Sequence, residues 1–248
     1  VRAEGRDVKM PAAVTTGRSV ETGAAATVIE GLSATEAHRC AMAELDSHTV
    51  IPWDTEADTA RLEANRDVLD TMVNHAIECV GKALQGANQI TGQERLSKKY
   101  AGVVLPLVGY PDFVGGGKGF ELKVRTSAFS EKSKNGRRAG SLPSRPDFNH
   151  VLQASAYSDM MGIPWSIGYV SEKGYVIFDA NNTPELTPQS IQNNVQELLA
   201  IARARETLMR RAPDHRTLLQ MISPDFQNFA WNIDPEILSE AKAIWGLK

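Results

Sequence analysis

Cysteine is scarce in this chain: two, Cys40 and Cys79, stand far apart among 248 residues, each in a helix-like stretch. They provide no disulfide framework, no zinc-ligand spacing and no four-cysteine iron–sulfur site, and a reducing cytoplasm is the compartment they imply. Long apolar runs are missing too. Eighteen consecutive apolar residues occur nowhere, so neither a membrane span nor a membrane partner is expected. There is no nucleotide-binding P-loop and no internal repeat. Residues 1–31 are rich in Ala, Gly, Thr, Val and Arg without a period, and lack the apolar block of a signal peptide. They read as a flexible N-terminal segment, or the cut edge of a longer protein, ahead of a single domain over 32–248.

What remains is ordinary in bulk and uneven in detail. Apolar residues at 42% and charged residues at 23% describe a globular chain long enough to bury a substantial core. Residues 118–147 hold eight Lys or Arg against three Asp or Glu, a net of +5 in a chain of formal charge −3, leaving −8 elsewhere. A basic segment on an acidic protein fits a polyanion partner, but charge runs are usually solvated loops, and both readings stay open.

Beside that segment lies Gly109-Tyr-Pro-Asp112-Phe-Val-Gly-Gly-Gly-Lys118-Gly-Phe-Glu121-Leu-Lys123. Two apolar runs flank a Gly-rich centre, which predicts a hairpin with Gly116-Gly117 at its turn. Counting outwards, 115 faces 118, 113 faces 120 and 112 faces 121. Asp112 and Glu121 then stand opposite each other with Cβ atoms about 5 Å apart, and Lys123 lies about 7 Å along the same face. Phe113 and Phe120 share the other face, which suits a core. Facing carboxylates repel, and a divalent cation with oxygen ligands would offset that repulsion.

The surrounding periodicity is largely helical. Ser33-Ala-Thr-Glu36 is a capping box and opens a helix to about Asp46. A long helical pattern covers 55–84, its apolar stripe formed by Leu69, Met72, Val73, Ala76, Val80, Ala83 and Leu84, with His75 and Glu78 opposite. Residues 103–108 read as a strand entering the hairpin, and 126–147 as a long mobile loop. A helix over 148–161, strands at 165–171 and 175–179, and helices over 188–211, 216–222 and 235–244 follow. Within the first of these helices Gln153 and Tyr157 share a face at i, i+4. A glutamine there needs a hydrogen-bond partner, unless the helix rotates it into solvent.

The order Gly109-x-x-Asp112, Glu121-x-Lys123, Gln153-x-x-x-Tyr157, within about residues 90–180, resembles the PD-(D/E)XK nuclease superfamily. The resemblance is to its RecB-like and phage-type branch, where lambda-type recombination exonucleases carry a similar Pro-Asp followed by Glu-Leu-Lys. It implies an α/β (α+β) fold, a restriction-endonuclease-like mixed β-sheet flanked by helices, with extra N- and C-terminal helices. It also implies a metal-dependent DNA exonuclease acting in DNA repair, recombination or phage DNA processing, in a phage-infected or bacterial cytoplasm. Asp112 and Glu121 would hold one or two Mg²⁺ or Mn²⁺ ions, helped by the Leu122 carbonyl, and the metal would activate an attacking water. Lys123 would orient that water or stabilise charge on the phosphorane oxygens. Gln153 would position the water, the Lys123 amine or the substrate, and Tyr157 would pack beside the site and touch the strand being degraded.

Members of this branch often add a ligand from the helix before the sheet. His75 and Glu78 occupy about that place, although they face away from the apolar stripe, and Glu94 is a similar candidate. Arg125, Lys132, Lys134, Arg137, Arg138 and Arg145 would hold the DNA backbone through salt-sensitive contacts, with Phe129 available to stack on a base. The implied partner is DNA with single-stranded or free ends. Relatives with an iron–sulfur cluster need four cysteines, so that branch is excluded, and ring-forming lambda-type relatives leave an oligomer open. Three rivals stay in view: a structure- or sequence-specific endonuclease of the same fold, a non-catalytic nucleic-acid-binding module, and a Ca²⁺-stabilised structural domain.

Overall fold

A computed structural model describes residues 12–47, 55–129 and 137–214, with a few isolated positions beyond. Lys132 and Lys134, and most of the helices expected over 216–222 and 235–244, lie outside the described residues. In chain order come α1 (Ala12–Val28), α2 (Ala34–Ser47), α3 (Thr55–Arg66), α4 (Leu69–Ala83), β1 (Ile90–Thr91), β2 (Leu96–Lys98) and β3 (Leu107–Gly109). Then follow β4 (Phe113–Gly115), β5 (Lys118–Val124), β6 (Ala128–Phe129), β7 (Arg137–Arg138), α5 (Phe148–Met161), β8 (Trp165–Ser171), β9 (Gly174–Phe178) and α6 (Pro188–Arg211).

The central hairpin forms because Gly116 and Gly117 take φ of 59° and 71°. Two successive left-handed residues make the turn whose twist matches that of the flanking strands. β4 and β5 therefore pair with Gly115 opposite Lys118 and Phe113 opposite Phe120, the register counted from the sequence. The hairpin belongs to a mixed sheet of order β1-β4-β5-β8-β9, in which β5 and β8 run parallel and the other neighbours antiparallel. A parallel neighbour requires a crossover, and α5 provides it. Asp147 starts that helix by accepting the Asn149 N–H at 2.9 Å. Gly162, at φ 69°, ends it in the left-handed conformation with its N–H on the Ser158 carbonyl.

Helices cover both faces of the sheet. On one face Phe113, Phe120, Leu122 and Val170 pack with the α4 stripe and with Val20, Ala24, Ala41 and Leu45 of α1 and α2. On the other, Trp165, Ile167, Tyr169 and Phe178 meet Val151, Ala154 and Tyr157 of α5. Alternation along β5 follows. With Phe120 and Leu122 turned to α4, Glu121 and Lys123 project to the α5 side. Arg125 continues the row, its N–H still donating to the Val170 carbonyl at 2.7 Å.

Four expectations need correction. Residues 12–28 are not a flexible lead-in: they form α1, which buries Thr15, Thr16, Ser19, Val20, Gly23 and Ala24. A Cβ on Gly23 would stand 3.0 Å from both Ala41 and Val73, so α1 lies tightly between α2 and α4. The long helix over 55–84 is two helices, broken at Val68, whose φ of −118° is not helical. Near the break, buried Asn65 uses its amide to clamp the Ser127 N–H and carbonyl at 2.8 and 3.0 Å. The strand at 103–108 shrinks to β3, because the Val104 and Leu105 N–H groups donate to the Glu206 carboxylate at 2.8–2.9 Å instead of to a ladder. The described ends of the expected loop over 126–147 pair as β6 and β7. The capping box on Ser33 and Glu36 forms as expected, and no described helix is long and apolar enough to cross a membrane.

Val20 is fully buried in α1, so Val20→Asp places an unpaired charge in the core. That costs roughly 3 kcal/mol or more, and thermal melting should show a fall in Tm of about 6–12 °C. An unchanged Tm would mean that α1 is not part of the cooperative core.

Candidate functional site

Asp112 directly precedes β4 and Glu121 sits mid-way along β5. The hairpin register sets them opposite each other, and they are only 8% and 1% exposed. Asp112 Oδ2 accepts the Leu122 N–H at 2.8 Å. An extended residue turns its N–H and C=O to the same edge, so the Leu122 carbonyl faces the same side as Asp112, past the start of β4. Lys123 Nζ donates to Glu121 Oε1 at 2.7 Å, while Glu121 Oε2 is buried and, among the described residues, faces no donor other than a proton shared with Asp112. An acceptor in that position is costly unless a cation or a donor meets it.

A third acid joins this pair. Glu21, on α1, bonds the Gln93 amide, and the Gln93 N–H donates to the Pro111 carbonyl at 2.8 Å. Glu21 and Asp112 line a common cleft of about 440 Å³ with Arg18, Thr22 and Gln93. Burial, and then the neighbouring Asp112 charge, push the Glu21 carboxyl up to about 7. Burial and Asp112 likewise push Glu121 up to about 8, and burial raises Asp112. Burial works against the charged form of Lys123, but Glu121 and Asp112 outweigh it and hold the ammonium protonated. Lys123, with Arg18 acting on Glu21 from the cleft wall, thus faces three buried carboxyls that do not all ionise cheaply. Among the described residues no cluster of three His, Cys, Asp or Glu side chains is already arranged around a common metal position.

The remaining candidates divide. Tyr157 is buried against Trp165, ring centroids 5.4 Å apart, and its hydroxyl lies 3.3 Å from both the N–H and the carbonyl of Tyr110. Gly109 makes that seat, since a Cβ there would come within 2.2 Å of the Tyr157 ring. Gln153 donates to the Tyr157 hydroxyl at 3.3 Å; its partner is therefore the tyrosine, and through it the backbone two residues before Asp112. His75 is placed elsewhere. Its Nδ1 lies 2.9 Å from the Ser171 carbonyl. Ser171 is four residues along β8 from Ile167, the residue paired with Glu121, so about 13 Å down the strand. Because α4 packs on the opposite face and its polar side meets the far end of β8, His75 is removed from the metal candidates. Glu78 and Glu94 are exposed.

Among the basic residues, Arg125 is half-buried with its guanidinium 5.0 Å from the Tyr169 ring centre, while Arg138 and Arg145 are exposed. His150 was not anticipated. It meets the Tyr169 hydroxyl at 2.6 Å, and burial followed by the Lys123 charge pulls it down to about 4, so it is neutral at pH 7. Glu21 was also missed, since its helix was read as unstructured; the spacing of Thr16, Val20 and Ala24 was the available clue. Compared with known proteins, the chain matches no family model, no curated protein and no solved structure.

The raised carboxyls give a test. Their folded pKa values exceed the unfolded ones, so the folded chain holds more protons, and stability falls as pH rises from about 4.5 to about 8. In chelator at pH 8, Asp112→Asn should raise Tm by ~2–8 °C, about 1–2 kcal/mol. Mg²⁺ at ten times its Kd should stabilise the parent by about 1.4 kcal/mol, and Asp112→Asn much less. A lower Tm for the variant together with no shift on adding Mg²⁺ would show that the pair is not waiting for a cation.

Proposed function

We propose that this protein is a metal-dependent DNA-hydrolysing enzyme, an exonuclease on a fold of the restriction-endonuclease type. The observation that carries the reading is the buried, mutually facing Asp112–Glu121 pair with Lys123 bonded to one Glu121 oxygen. Supporting the fold are the antiparallel β4–β5 hairpin, the α5 crossover to a parallel β8, and helices on both faces. The donor set is all oxygen, which suits Mg²⁺ or Mn²⁺. Asp112, Glu121 and the Leu122 carbonyl would hold one or two such ions, with Glu21 as a further acid, and a bound ion would polarise the scissile phosphate and acidify a water.

Roles for the chain's own groups follow from their charge states. Lys123 is held as an ammonium, so it serves as an electrostatic and hydrogen-bonding partner for a phosphate oxygen rather than as a resting general base. Deprotonating it would remove the cation that Glu121 already uses. Gln153 and Tyr157 act by holding the Tyr110 backbone, and so the approach to Asp112. Arg125, Arg138 and Arg145 would contribute phosphate contacts that weaken with salt.

The test compares 5′- and 3′-labelled single and double strands, and closed circular DNA, in Mg²⁺, Mn²⁺ and chelator. Linear DNA should be degraded only with metal, and closed circles should survive. Glu121→Gln, Asp112→Asn and Lys123→Met should each lose at least about a hundredfold in rate, and Glu21→Gln about tenfold or more. Cutting of closed circles would make the enzyme an endonuclease. Parent-like activity of Glu121→Gln would remove the proposed site.

A further inference from the structure

A second cavity, of about 530 Å³, opens between the end of β5 and the start of α5, walled by Arg125, Ser144, Arg145, Asp147, Phe148 and Glu185. Its volume is that of a pocket for one small ligand. Two of its features are unexplained by folding. Arg125 Nε is buried with no hydrogen-bond partner among the described residues, a costly state for a charged donor and one that a phosphate oxygen would relieve. Phe148 is 52% exposed at the first position of α5, where its ring contributes little to the core.

Position links this cavity to the acidic site. Glu121, Lys123 and Arg125 project from one face of β5 at steps of about 7 Å. The row runs from the carboxylates into the cavity, past Tyr169, whose ring underlies Arg125. The cavity is not a plain anion trap, because Asp147 and Glu185 balance the two arginines. Asp147 spends one oxygen on capping α5. Glu185 stands on the wall as an acceptor, suited to an amino group on a base edge. Two cationic donors, an exposed aromatic face and one acceptor form the complement of a nucleotide with its base turned out of a helix.

We propose that this cavity is a subsite for one unpaired nucleotide of a DNA single strand. Arg125 and Arg145 take its phosphate, and Phe148 stacks on its base. The proposal rests on the hydrolytic reading only for its role, which is to hold the strand next to the bond being cut. It differs from a backbone track in requiring an unpaired base, because only such a base offers its face to Phe148.

Binding can be measured in chelator by fluorescence anisotropy, with labelled oligo-dT of about a dozen nucleotides and a blunt hairpin duplex of similar size. Phe148→Ala should weaken oligo-dT binding by about 5- to 100-fold and duplex binding by less than about twofold, and Phe148→Tyr should restore it. Replacing Arg125 and Arg145 together by Gln should reduce the salt slope on oligo-dT by about 0.7, the share of one phosphate on a single strand. The exposed Ile201→Ala serves as a surface control. The proposal is overturned if Phe148→Ala binds oligo-dT like the parent, if it loses as much on the duplex, or if the parent does not bind oligo-dT. Should binding follow expectation while no metal supports cleavage, the subsite stands and the hydrolytic reading fails. Should cleavage proceed while Phe148→Ala binds normally, the reverse holds.

Discussion

Two carboxyl groups forced together away from water set the terms for this structure. At about 5 Å and an effective dielectric near 20, two carboxylates repel by about 3 kcal/mol, before any cost of desolvation. Asp112 and Glu121 are both nearly inaccessible, and Glu21 adds a third charge at the same cleft. Lys123 and the Leu122 N–H compensate in part, each engaging one oxygen. A chain selected for stability alone would place apolar side chains here, as it does at Phe113 and Phe120 on the opposite face of the same two strands. The surplus of acid is what the proposed function would account for.

The rest of the fold keeps that arrangement rigid. The hairpin register sets Asp112 against Glu121, and β8, bound along the whole of β5, prevents the strand from bowing away. Tyr157 pins the backbone before Asp112 from the α5 side, while α1 brings Glu21 in from beside β1. The flanking segments are tied just as firmly. Glu206 on α6 holds the turn before β3 by two backbone N–H groups, and Asn65 on α3 holds Ser127, three residues after β5 ends. Buried polar clamps of this kind cost little when fully satisfied, and they restrict the site to one geometry.

Where local rules decide, the sequence was legible. The turn glycines and period-two pattern gave the β4–β5 register, the capping box gave the start of α2, and α5 begins and ends where Asp147 and Gly162 require. Features decided by tertiary contact were not. α1 is built largely from Ala, Thr, Ser and Gly, whose hydropathy varies little, so its buried stripe, Thr16, Val20 and Ala24 at steps of four, is faint and Glu21 went unseen. The α3–α4 break lies beside Asn65, whose partner is a residue 62 positions away. His75 looked available because a helical wheel separates polar from apolar faces without saying what each face meets. Its polar face meets the Ser171 carbonyl.

Lys123 separates the hydrolytic reading from a purely structural cation site. An ammonium 2.7 Å from Glu121 Oε1 would compete with any cation bound there and lower its affinity. A site meant only to brace the hairpin with Ca²⁺ would do better with a neutral or acidic residue at that position. On the proposed hydrolytic reading the same ammonium would have a use, because beside a phosphate it could turn its donors from the Glu121 oxygen to the substrate's negative charge. Lys123 and a bound cation would then be partners around a substrate instead of rivals for one oxygen, which is the use the proposed reading gives to a lysine beside two carboxyls that burial pushes towards protonation.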